Sequence, residues 1–157
     1  MKNWKVTTQN ADETVAIATR LGELAEGGDV ICLSGDLGAG KTTFTQGLAL
    51  GLGIPKDVPV SSPTFTIIAE HLSGHIPLYH FDVYRLSGPD DLPDIGFEDY
   101  IDSDGVTVIE WADKITDALP ADRLDIKISI SGDAERTWDF AAFGTRCAEL
   151  LEELAKQ

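Results

Sequence analysis

Basic residues are scarce in this chain: 12 lysines and arginines stand against 27 aspartates and glutamates, a formal charge of −15. Direct grip on a nucleic-acid backbone needs clustered Lys and Arg to displace counterions. Here the five arginines, Arg20, Arg85, Arg123, Arg136 and Arg146, are scattered. A nucleic acid in this protein's work would therefore be held by a partner, although the acidity serves equally well as a solubility device. Cysteine is rare too: Cys32 and Cys147 form no spaced pair, which leaves buried free thiols in a reducing compartment as the expectation. No apolar run approaches the ~18 residues of a membrane span, and the opening MKNWKVTTQN lacks the apolar stretch of a secretory signal. Together these shortages point to a cytoplasmic protein with no membrane partner.

What is present suits one folded unit. A chain of 157 residues is expected to form a single domain spanning 1–157, burying roughly 70% of its unfolded surface. Along the chain, NADETVAIATRLGELAEGG begins with Asn10 and Glu13 at capping-box spacing. It sets Val15, Ala18, Leu21 and Leu24/Ala25 on one helical face before Gly27-Gly28 stops it. DVICLS reads as a strand, GDLGAGKTT as a glycine loop, and the residues after it as a helix ending near Gly53. VPVSSPTF is loop-like. TFTIIAEHL and IPLYHFDVYRL pair across Ser73-Gly74, and SGPDDLPDIGFEDYIDSD forms short helical turns. VTVIEW is a compact strand, RLDIKISI and RTWDFAAF make a second hairpin, and TRCAELLEELAKQ is a helix with Cys147, Leu150, Leu151 and Leu154 on one face. The predicted fold class is α/β: a mixed β-sheet flanked by helices of the phosphate-loop type, parallel near the loop, with antiparallel hairpins elsewhere.

Gly35 to Thr42 fits G-x-x-x-x-G-K-[ST] and lies between a strand and a helix, the context that gives this motif its meaning. Consecutive main-chain N–H groups can wrap a polyphosphate only where no side chains intervene, and Gly38 and Gly40 permit that approach. The segment Gly35, Asp36, Leu37, Gly38, Ala39, Gly40, Lys41, Thr42 and Thr43 is thus the candidate nucleotide cradle. The next helix aims its positive N-terminus at the same charge. Lys41 adds a point charge for the β- and γ-phosphates, and the Thr42 hydroxyl suits Mg²⁺. Guanine readers on this loop commonly carry an Asn-Lys-x-Asp element; the only asparagines are Asn3 and Asn10, ahead of the loop, so ATP is favoured over GTP.

Phosphoryl transfer also needs metal support, a positioned water and compensation for developing charge. Glu110 closes the apolar run VTVIE and would emerge at a strand end beside the phosphates, where it can orient magnesium; a plain solvated acid has the same sequence signature. In YHFDVYR, strand alternation puts His80, Asp82 and Tyr84 on one face and Phe81 and Val83 on the other. Asp82 can hold the attacking water or the magnesium shell, and Arg85 can balance phosphate charge, unless the segment is an ordinary sheet with a polar outer face. Ser62 and Thr64 of SSPTFT sit where related nucleotidases keep a γ-phosphate sensor, and a serine-rich turn explains them equally well.

GDLGAGKTTF at 35–44, SSPTFT at 61–66, YHFDVYRL at 79–86 and IEW at 109–111, in this order and at these separations, resemble the bacterial TsaE family. That family is the small ATPase of tRNA threonylcarbamoyladenosine synthesis. The resemblance runs from about Ala11 to the second hairpin. It implies a role beside TsaB- and TsaD-type partners, which transfer the threonylcarbamoyl group near the tRNA anticodon while this chain hydrolyses ATP to reset them; tRNA would be met only through the complex. It further implies that Lys41 binds phosphate, that Thr42 and Glu110 hold magnesium, that Asp82 assists hydrolysis and that Trp111 matters to the nucleotide site. With no clustered arginines, the isolated chain is expected to be slow, since charge compensation in trans is worth ~10³–10⁵ in rate. The eight acids between Asp82 and Asp104 are expected to dock on a basic partner surface. Two other readings of the same loop stand beside this one: a small-molecule kinase, and a nucleotide-controlled binding module with incidental hydrolysis.

Overall fold

A computed structural model describes residues 2–36 and 38–156; Leu37, assigned above to the nucleotide cradle, lies outside the described residues. Strands β1 (Asn3–Thr8), β2 (Val30–Gly35), β3 (Ile68–His71), β4 (Leu78–Asp82), β5 (Val106–Glu110), β6 (Arg123–Ile130) and β7 (Arg136–Phe143) form one seven-stranded sheet. The helices are α1 (Ala11–Leu24), α2 (Lys41–Gly51), α3 (Phe97–Ile101) and α4 (Thr145–Ala155). The strand order is β1-β7-β6-β2-β5-β4-β3. β2 pairs in parallel with both β5 and β6, and β4 in parallel with β5. Antiparallel pairs flank this centre on both sides. The fold is therefore the mixed α/β sheet that the apolar strand patterns predict.

Two apolar layers follow from period-2 alternation along the strands. Ile31 and Leu33 of β2 and Val106 and Val108 of β5 pack with Leu21, Phe44, Leu48 and Leu150 of the long helices. The other face gives Cys32 of β2, Ile109 of β5 and Phe81 of β4 to a second cluster under the acidic segment, with Leu92, Phe97 and Ile115. The predicted short turns of that segment are 3₁₀ turns at 89–91 and 93–95 followed by α3. Both cysteines are buried and free.

Helices α1 and α2 meet through glycine. A Cβ at Gly51 would sit 2.1 Å from the Thr19 carbonyl oxygen, and one at Gly22 would sit 2.4 Å from that of Leu48. The glycines that lower helix propensity thus let the two backbones touch.

Three local expectations change. NWKVTT, unassigned in the sequence, is edge strand β1, paired along its length with β7. Asn3, Lys5 and Thr7 are exposed, while Trp4 and Val6 alternate onto the other face and pack against the core, an apolar pair too short to announce a strand. The cap of α1 keeps Asn10, which accepts from the Glu13 N–H at 2.9 Å, but Glu13 reaches back to the Gln9 N–H at 2.7 Å rather than to that of Asn10. Finally, β4 ends at Asp82. The Val83 N–H still donates to Glu110 O at 3.2 Å. Tyr84 and Arg85 then leave the sheet in a turn, because Asp82 Oδ1 captures the Tyr84 N–H at 3.0 Å and offers the chain an alternative to ladder pairing.

Candidate functional site

Leu78, His80 and Asp82 share one face of β4 by alternation, and Val106, Val108 and Glu110 share the same face of β5, toward α1 and α2. In the parallel β4–β5 register Asp82 stands opposite Glu110 and His80 opposite Val108. The two carboxylates thus reach the carboxyl ends of adjacent parallel strands, where open α/β sheets build ligand crevices. The glycine loop leaves the end of β2 beside them and delivers the N-terminus of α2.

A cleft of about 390 Å³ opens there, lined by Gly38, Gly40, Lys41, Thr42, Thr43, Ser62, Thr64, Asp82, Tyr84, Glu110 and Trp111. That volume lies within the range of small-ligand sites. Gly38 has φ +78 with nothing within 4 Å of where a Cβ would stand, and Gly40 has φ +117; both angles favour glycine. Gly35, Asp36 and Ala39 do not line the cleft. The first two instead use their carbonyls to hold Lys41, whose Nζ donates to Gly35 O at 2.5 Å and Asp36 O at 3.0 Å. The same ammonium lies 4.0 Å from the centroid of the Trp111 ring, a cation–π contact. Burial pulls the Lys41 pKa below its ordinary value, against the opposing pull of Glu110, Asp82, Asp36 and Asp113.

Trp111 takes up this position through an unusual backbone. Its φ of 63° and ψ of 33° are left-handed, costly for a residue with a Cβ and the kind of strain found at functional sites. The turn stops β5 and swings the indole over Lys41, where it also meets the Tyr84 ring at 4.8 Å.

Deeper in the cleft a chain of oxygens runs from α2 into the sheet. Thr42 Oγ1 lies 2.6 Å from Ser62 Oγ, and Ser62 Oγ donates to Glu110, 3.0 Å from Oε1 and 2.9 Å from Oε2. His80 Nε2 contacts Glu110 Oε2 from inside. A separate pair sits alongside: Thr64 Oγ1 donates to Asp82 Oδ2 at 3.1 Å. Glu110 and Asp82 are each 2% exposed, which excludes the reading of Glu110 as a solvated strand-end acid. Ser62 and Thr64, which composition could not tell from turn residues, each bond one of the two carboxylates.

Not every candidate converges. Arg85 does not line the cleft; its guanidinium lies over the exposed Phe65 ring, 5.2 Å from the centroid, because the turn after Asp82 carries it outward. Conversely, sequence reading missed Arg136, whose Nε donates to Ala39 O at 3.0 Å while its Nη1 donates to Gly132 O at 3.1 Å. It ties the glycine loop to the β6–β7 turn. Trp138 backs Gly40 and packs on Phe44 at 5.0 Å. A Trp and an Arg in an antiparallel hairpin carry no signal of contact with a distant loop. A larger hollow of about 620 Å³ elsewhere mixes Lys5 and Lys127 with Asp113, Asp125 and Asp139 and contains none of the glycine loop.

The family model of TsaE, threonylcarbamoyl adenosine biosynthesis protein, matches residues 8–138. A Bacillus subtilis (strain 168) relative named tRNA threonylcarbamoyladenosine biosynthesis protein TsaE is 50% identical over 156 residues, covering 99% of this chain and 96% of that one. A Treponema pallidum relative of the same name is 41% identical over 132 residues, covering 84% and 96%. Among solved structures, a crystal structure of Bacillus subtilis YdiB aligns with a TM-score of 0.81 and 46% identity, over 99% of this chain and 95% of that one.

Proposed function

The chain belongs to the TsaE family, whose role lies in tRNA threonylcarbamoyladenosine biosynthesis, and from that premise we propose that it is a magnesium-dependent ATP hydrolase that resets a TsaB–TsaD-type partner complex between cycles in the cytoplasm. The observation that carries this reading is one continuous chain: Thr42, Ser62 and Glu110 hydrogen-bonded in line, beside Lys41 and Asp82 in a single cleft.

The donor set fits the groups implied. Two hydroxyls and a carboxylate are hard oxygen donors suited to Mg²⁺, and the open glycine positions with a helix N-terminus suit phosphate. Thr42 and Glu110 would hold the metal, which when bound neutralises charge on the phosphates. Lys41, pinned by two carbonyls and the Trp111 ring, keeps its ammonium at the mouth of the loop as a point charge for phosphate. Asp82 has one oxygen engaged by Thr64 and the other by the Tyr84 N–H, which fixes the plane of the carboxylate. Its remaining lone pairs can orient a water for attack. Ser62 and Thr64 each touch one carboxylate, so both can register whether the γ-phosphate side of the site is filled.

No helix among the described residues is long and apolar enough to cross a membrane. Among the described residues no arginine lines the cleft, which supports a chain that hydrolyses slowly until partners complete it. Calorimetry with ADP and Mg²⁺, with phosphate release measured in the presence and absence of the partner proteins, tests the reading. Wild type should take up nucleotide, and Asp82→Asn should bind it but release phosphate at least ~10²-fold more slowly. No adenine-nucleotide uptake, with metal and partners supplied, would overturn the proposal.

A further inference from the structure

His80 has no assigned role in the reading above, yet it is the most enclosed titratable side chain of the site, 0% exposed. It stands between Ala69 of β3 and Val108 of β5, a position where alternation asks for an apolar residue. An imidazole there costs free energy unless its polar atoms are matched. Nε2 is matched by Glu110 Oε2, whereas Nδ1 is buried with no hydrogen-bond partner. The side chain is therefore anchored at one point only, and that point is the inner oxygen of Glu110.

We infer that His80 is a positioning residue that fixes the plane of Glu110 and so keeps the chain His80–Glu110–Ser62–Thr42 joined, with Thr42 turning lone pairs rather than its proton toward the cleft. Proton counting gives the direction. A carboxylate only accepts, so Nε2 carries the hydrogen it shares with Glu110. Ser62 has one hydroxyl proton and faces both Glu110 oxygens at 3.0 and 2.9 Å; that proton goes to Glu110. Ser62 Oγ can then only accept from Thr42 Oγ1 at 2.6 Å, and the single Thr42 proton is committed inward. An outward-facing hydroxyl oxygen is what a hard cation requires. Without the inner donor, Glu110 loses the bond that orients its plane; once the carboxylate turns away from Ser62, nothing commits the Ser62 proton inward and the Ser62–Thr42 pair is free to reverse. Supporting groups behind a metal ligand act in this way.

The inference rests on the proposed roles of Thr42 and Glu110 as metal holders. Two measurements test it. In the ligand-free protein, nitrogen-15 NMR of histidine should show a hydrogen on His80 Nε2. In metal titrations with Mn²⁺ as the probe, followed by electron paramagnetic resonance in the presence of ADP, His80→Leu should bind Mn²⁺ at least tenfold more weakly than wild type. Its uptake of ADP without metal should stay within twofold. His80→Gln, whose amide can place an N–H near the same point, should recover most of the Mn²⁺ affinity, which a purely space-filling role would not predict. A bare Nε2, unchanged Mn²⁺ affinity in His80→Leu, or failure of Gln to recover what Leu loses, whether metal affinity or folding, overturns the inference. Wild type that takes up no ADP with Mn²⁺ overturns the hydrolase reading and the His80 role with it; normal wild-type uptake beside an unaffected His80→Leu overturns His80 alone.

Discussion

Lys41 sits 5% exposed among acids that raise its pKa and apolar burial that lowers it, with two carbonyls and an indole to hold it. Charge-assisted bonds to phosphate contribute about 1.5–3 kcal/mol each, so Lys41→Ala should weaken ADP binding by roughly ten- to a hundredfold for each such bond lost, as read by calorimetry. The cysteines follow the opposite logic. Burial and a hydrogen bond to Asp122 push the Cys147 thiol from its ordinary 9.0 up to about 12, and burial with Asp125 raises Cys32 as well. A thiol without thiolate is inert, so neither should react with a disulfide reagent at pH 8 until denaturant unfolds the chain. The folded state keeps the Cys147 proton to higher pH than the unfolded state. Its contribution to stability is therefore complete below about 9 and fades as the pH climbs toward about 12, which urea midpoints across that window would follow.

Elements meet the site through contacts that a single side chain can spoil. The α1–α2 interface closes at Gly22 and Gly51, where an added Cβ would run into backbone rather than a yielding side chain. Gly51→Ala improves local helix propensity but forces the helices apart. Overpacking of this kind costs about 1–3 kcal/mol, and thermal unfolding should show a lower midpoint despite the better helix former. Because α2 begins at Lys41, the same shift should weaken nucleotide binding. The turn after β5 is the second sensitive element: it holds Trp111 in a left-handed conformation and so decides where the indole lies.

At the scale of the whole molecule the −15 charge and the lack of arginine among the described residues lining the cleft point the same way. Both fit the proposal above, in which nucleic acid is met through partners and the partners complete the site. Isolated protein should release phosphate slowly, and adding TsaB- and TsaD-type partners should accelerate it, by up to ~10³–10⁵ if a cation is supplied in trans; equal rates alone and in complex would remove the idea of a shared site. If the acids at Asp90, Asp91, Asp94 and Asp99 dock on a basic surface, reversing them should weaken assembly at low salt, as pull-down or light scattering would detect.

Local pattern was enough for the parts whose cause is local. Alternating or continuous apolar residues mark β2, β5, β6 and β7, helical spacing marks α1 and α4, and the glycines of the loop from Gly35 to Thr43 mark a turn whose main-chain amides can be left bare. The pairing of Ser62 with Thr42 and Glu110, of Thr64 with Asp82, and of Arg136 with Ala39 joins residues 18 to 97 positions apart, and nothing in a short window encodes such distances. Alternation continues through Tyr84 and Arg85 and predicts strand there; the capture of the Tyr84 N–H by Asp82 ends it instead. Sequence thus determined which chemical groups the protein owns and which elements carry them. Tertiary packing, through sheet register and the left-handed turn at Trp111, decided which of those groups face one another in the cleft.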